Sequence, residues 1–184
     1  TNGETTATDP DDFSCTECLA GFWATAGDTV CTECSVGTYQ NNKGGSSCIL
    51  CEKGLYNNET KATTIESCKK CPHGTYSTAT GVGKIKDCNK CAAGKMNPHS
   101  GSNSSGDCED CAVDTKAAVA GSFECIACLN GRTAPARSSK CSECRNGKAK
   151  TQDDGAELDD FSCTECLAGF FATAGDVLCK ECSA

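Results

Sequence analysis

The sequence predicts a small disulfide-rich repeat protein: an elongated, solenoid-like rod of short β-hairpins and loops, with little or no helix. Three observations predict it. Twenty of the 184 residues are cysteine, a density above that of ordinary globular domains and typical of cross-linked scaffolds. All twenty fall into Cys-x-x-Cys pairs that begin 16 to 22 residues apart. The passage from Asp11 to Ser35 also returns at Asp159 to Ser183, identical at 21 of 25 positions and offset by 148 residues.

Composition supports cross-linking over core burial. Aromatic residues are 5% of the chain, and much of the apolar 38% is Ala and Cys, so large side chains are too few for one continuous core. The formal charge is -8, with 17 scattered Lys and Arg, which argues against a nucleic-acid partner. No run of apolar residues is long enough to span a bilayer. With no starting Met and no apolar leader, the chain is expected to be a mature product or an excerpt.

The ten pairs begin at Cys15, Cys31, Cys48, Cys68, Cys88, Cys108, Cys125, Cys141, Cys163 and Cys179. Eight such units make one long period. Residues 1–14 then form an acidic, Thr-rich linker, 15–162 one period of eight units, and 163–184 the start of the next. Three residues after the second cysteine, eight of nine units carry Gly, and the ninth carries Asp114. Gly and Asp both tolerate the left-handed region, so one turn with positive φ would explain the column. Five residues after the same cysteine stand Trp23, Tyr39, Tyr56, Tyr76, Met96, Lys116, Thr133, Ala149 and Phe171. The large members are expected to lie over their own disulfides as a miniature core, leaving units six to eight looser. Segments such as "GLYNN" and "GTYST" leave room for short strands or turns, and sustained helical periodicity is absent.

Three chemistries suit these cysteines. Two pairs separated by 15 to 20 residues have the spacing of a structural zinc site, and five tetrathiolate zincs would use all twenty. A redox-active Cys-x-x-Cys needs a strand-to-helix setting that lowers one thiol pKa, and ten regular copies lack it. Disulfides in an oxidising compartment fit the density, the acidity and the Ser, Thr and Gly filling. Two regular pairings follow. A crosswise scheme would show alternation every second pair, and none is visible. A ladder joins Cys18 to Cys31, Cys34 to Cys48, Cys51 to Cys68, Cys71 to Cys88, Cys91 to Cys108, Cys111 to Cys125, Cys128 to Cys141, Cys144 to Cys163 and Cys166 to Cys179. Each loop is worth about 3 kcal/mol in the chain-entropy model. Cys15 and Cys182 are left over. By the repeat, Cys15 occupies the place of Cys163 and Cys182 that of Cys34, so both are expected to bond to a neighbouring period or subunit.

The unit seen in "CEKGLY", "CPHGTY" and "CSVGTY" resembles the ephrin-receptor-like and tumour-necrosis-factor-receptor-like cysteine-rich modules. The long array is similar to the immobilization antigens of ciliates, which implies a lipid-anchored surface coat. Variant surface proteins of parasitic flagellates share the pair density but carry a Gly-Gly-Cys-Tyr motif that is absent here.

Asn58 in "NET" and Asn103 in "NSS" are glycosylation sequons, and Asn89 in "NKC" is a poor variant. The acidic runs "DPDDF" and "DDGAELDDF" suit a solvated linker better than a calcium site. His73 and His99 lie in turn-like settings without a nucleophile motif or metal-ligand pattern, so no catalysis and no cofactor are expected. The expected role is structural: an extracellular or cell-surface coat or filament built from copies of itself, carrying N-linked glycans and touching a membrane only through an anchor outside this chain. A receptor-type module that binds a protein ligand is the alternative.

Overall fold

A computed structural model describes residues 17–129, 131–145, 148–150, 163–168 and 170–182. Among them, eighteen strands of two or three residues pair into nine antiparallel two-stranded hairpins. Each hairpin sets the residues four and five after a second cysteine against the two residues inside the next Cys-x-x-Cys. Phe22–Trp23 thus pairs with Thr32–Glu33, Thr38–Tyr39 with Ile49–Leu50, and Thr75–Tyr76 with Asn89–Lys90. The strands are short because both ends are fixed locally. A glycine turn precedes the first strand, and a disulfide brackets the second. The only helical segments among the described residues are three 3-10 turns, Ile65–Ser67, Ile85–Asp87 and Ser105–Asp107. They lie inside the disulfide loops of 17-residue separation, where the extra residues are wound up.

The nine described disulfides form the sequential ladder from Cys18–Cys31 through Cys166–Cys179, with Cα–Cα distances of 5.6 to 5.9 Å. Between them runs a second, non-covalent ladder. In unit three, Gly54 N donates to Ser77 O (2.9 Å) and Asn57 N to Val82 O (2.9 Å). In return Cys71 N donates to Gly54 O (2.8 Å) and Gly81 N to Cys51 O (2.8 Å). The same four bonds recur at the equivalent residues of every unit from one to six. Every backbone group on this seam therefore meets its counterpart in the next unit, as buried amides require.

The turn column has the positive φ its composition predicts: Gly37 at 82°, Gly74 at 74°, and Asp114 at 62°. A second reason for glycine comes from packing. A Cβ on Gly37 would stand 2.0 Å from the carbonyl oxygen of Gly81, and one on Gly74 would stand 2.0 Å from that of Gly121. Each turn thus presses its backbone against a loop two units further on. No described backbone bond reaches beyond the next unit and these close approaches span two, so the described units stack one upon the next, with no central core among the described residues.

The buried interior differs from the expected aromatic one. The aromatic column is only half-buried at Tyr39, Tyr56 and Tyr76, and Phe171 is exposed. The second cysteines from Cys18 to Cys144 are buried instead, together with Gln40, Asn57, Ser77, Asn97, Ala117, Ala134 and Ala172, each six positions after a second cysteine. The side chain five positions on points to the outer face of its hairpin, and the next one points inward. Small and amide side chains fit the thin interior and serve its backbone. Asn57 Nδ2 donates to Thr38 O of the preceding unit (2.9 Å), and Asn97 Nδ2 to Thr75 O (3.1 Å) and Ser102 Oγ (2.9 Å). Among the described residues no buried side-chain polar atom lacks a partner.

Candidate functional surface

With the interior used for stacking, functional chemistry is confined to the exposed rim. The two residues inside each described Cys-x-x-Cys are solvent-facing in the first seven hairpins. Their identities change along the chain: Ile49–Leu50, Lys69–Lys70, Asn89–Lys90, Glu109–Asp110, Ile126–Ala127. The scaffold is constant while this strip varies, so the strip is where one unit is distinguished from another.

The second residue of each pair leans over a loop of the next unit. That loop has its own positive-φ position, occupied by Gly81, Gly101 and Gly121 but also by Lys61 (φ 57°) and Arg137 (φ 68°). Where a cation replaces glycine, an acid faces it. Lys61 Nζ lies 3.0 Å from Glu33 and 5.5 Å from the Phe22 ring centre, and Arg137 Nε lies 3.4 Å from Asp110. Asp110 also accepts from Lys95 Nζ at 2.6 Å. That hydrogen bond, with Arg137 adding to it, holds the Asp110 carboxyl below the usual range. Lys69 is raised by its hydrogen bond to Glu59.

The repeated passage carries a small clasp. Thr25 N and Oγ1 donate to Asp28 Oδ2 at 2.6 and 2.7 Å. In the second copy Thr173 N and Oγ1 donate to Asp176 Oδ2, both at 2.7 Å. Lys180, which stands where the first copy has Thr32, adds a 3.0 Å bond to Asp176 Oδ1. The Thr173 bonds, with Lys180, lower the Asp176 pKa to about 2, and the Thr25 hydroxyl and amide lower that of Asp28.

Cys182 is an exposed free thiol, whereas Cys15 and both acidic runs lie outside the described residues. The sequon residues Asn58 and Asn103 are exposed on loops. Asn57, beside the first, is fully buried. His73 and His99 are exposed. Among the described residues no group of three or more His, Cys, Asp or Glu could hold a metal ion, and no helix is long and apolar enough to cross a membrane. An open groove of about 600 Å³ runs across Lys116, Ile126, Leu129, Arg132 and Ala174.

Missed in the sequence were the second positive-φ column and the inward small-residue column. Glycine ten residues after the second cysteine in units two, four, five and six was a usable signal for the first.

Residues 21–68 match the family described as tyrosine-protein kinase ephrin type A/B receptor-like. The matched stretch holds two complete hairpins and the first strand of a third, so it samples the same geometry that repeats along the chain. No curated protein matches the chain. The nine disulfides and the receptor-like module together indicate an extracellular cysteine-rich module, secreted or at a surface.

Proposed function

We propose that the chain is a structural, non-enzymatic segment of an extracellular coat or filament, of the kind the ciliate immobilization antigens represent. The observation that carries this is the uniform seam: the same four backbone bonds join each of the first six units to the next. A seam of that kind can be prolonged indefinitely by adding units, and the 148-residue repeat is the sequence form of such prolongation. Cys182, at the place Cys34 holds in the first copy, would bond to the next period or subunit, and Cys15 to the preceding one. Asn58 and Asn103 would carry glycans on the outer loops.

Small-angle scattering and non-reducing peptide mapping test the reading. A rod with a radius of gyration well above the roughly 16 Å of a compact domain of this length is expected, with Cys15 and Cys182 joined to equivalents in other periods or chains. A compact particle with both thiols free overturns it. The groove at Ile126 and Leu129 favours a second reading, a module that binds a protein ligand there. Saturable binding of one partner, abolished by Leu129→Asp, would select it.

A further inference from the structure

The outer face of the hairpins carries an order that the seam does not require. The first residue inside each Cys-x-x-Cys lies opposite the residue five after the previous second cysteine, so the two side chains share one hairpin face. Along hairpins two to six the first residue runs Ile49, Lys69, Asn89, Glu109, Ile126, all exposed. The order is apolar, positive, neutral, negative, apolar. Hairpins one and seven extend it by one neutral hydroxyl at each end, Thr32 and Ser142. Reversed, this series is its own complement: Asn89 falls on Asn89, Lys69 on Glu109, Ile49 on Ile126. Consecutive units are joined by the same four bonds, so each row is set on the next through an equivalent junction.

We propose that this face docks a second copy of the chain, running antiparallel, with the two-fold axis at the Tyr76–Asn89 row. Such an isologous contact uses one patch twice, so each complementary row occurs on both sides of the axis. The half-buried Tyr56, Tyr76 and Met96 beside the central rows are residue types enriched in interfaces. Glu109 makes no ion pair within the described chain. Lys69 is paired with Glu59 at 2.9 Å, but both side chains are about half exposed (49% and 55%), so exchanging that partner for Glu109 costs little. The contact uses no cysteine and does not rest on the coat reading: a ligand-binding module could pair in the same way.

Sedimentation velocity on the alkylated, fully oxidised protein tests the proposal. The wild type is expected to dimerise at low salt and to dissociate as salt screens the charged rows. Lys69→Glu or Glu109→Lys places like charges together twice per dimer, and each is expected to weaken association by about tenfold or more. Mixing the two variants restores both rows as opposite pairs, so the mixture is expected to form a heterodimer. That recovery also shows that both variants are folded. A monomeric wild type, a single reversal that dimerises as tightly as the wild type, or a mixture that stays monomeric would each overturn the antiparallel face. None of these results bears on whether Cys15 and Cys182 link periods end to end.

Discussion

Replacing Gly74 by alanine attacks the stack where two units touch backbone to backbone. Two costs add. Gly74 has φ 74°, and an L-residue held there costs about 1–2 kcal/mol. The new Cβ would lie 2.0 Å from Gly121 O, 2.5 Å from Gly121 C and 3.1 Å from Ser122 O, all backbone atoms that no rotamer change can move aside. The loop must withdraw, weakening the Gly121 N to Cys91 O and Asn97 N to Ser122 O bonds, each worth about 1 kcal/mol net. The sum is about 3–4 kcal/mol. Gly27→Ala is the control, because Gly27 also has positive φ (97°) but nothing lies within 4 Å of its added Cβ; it should cost only the conformational part. Hydrogen exchange of the oxidised proteins separates the two. Gly74→Ala is expected to raise local opening around residues 91–97 and 121–122 by about thirtyfold more than Gly27→Ala raises its own surroundings, the equivalent of about 2 kcal/mol. Units one and nine should keep their protection. Equal effects from the two substitutions, or loss of protection along the whole chain, would refute the close-approach account.

Lys61→Gly removes left-handed strain and also an exposed ion pair with Glu33; the strain outweighs the pair, so denaturant titration should show stability unchanged or raised by up to about 1 kcal/mol. Asn97→Ala leaves Thr75 O without its side-chain donor and is expected to destabilise the oxidised chain by about 1–3 kcal/mol in the same titration. For Asp176 the folded pKa lies below the unfolded value, so its contribution is present above the ordinary carboxylate range and lost as pH falls through about 2. Carboxyl NMR titration should place Asp176 below Asp28, and Thr173→Val should move it upward.

Spacing alone made the hairpin repeat readable. Cysteine pairs every 16 to 22 residues leave no room for longer elements, and the glycine three residues after each second cysteine marked a positive-φ turn that Asp114 could share. The interior was not readable in the same way. Its column holds Gln40, Asn57, Ser77 and Ala117, which share small or hydrogen-bonding character but no residue type. The conspicuous Tyr column beside it drew the core to the wrong side of the strand. Period-two alternation fixes which residues share a face, but two-residue strands give too short a run to say which face is inside. The second turn column was hidden by Lys61 and Arg137, whose acidic partners Glu33 and Asp110 lie 28 and 27 residues earlier in sequence.

The ladder also fixes the route by which tension would travel. Each disulfide joins the end of one Cys-x-x-Cys to the start of the next, so a pull on the array passes along sulfur bridges and three-residue steps, bypassing the intervening loops. With 5.7 Å between the bridged Cα atoms of Cys18 and Cys31 and about 10 Å for the step from Cys31 to Cys34, the strap is limited to about 16 Å per unit. The bypassed segments, spanning sequence separations of 13 to 19 between bonded cysteines, carry no load. They can lengthen, shorten or change sequence while the tensile line stays intact, and a reductant would turn the same strap into slack chain several times as long.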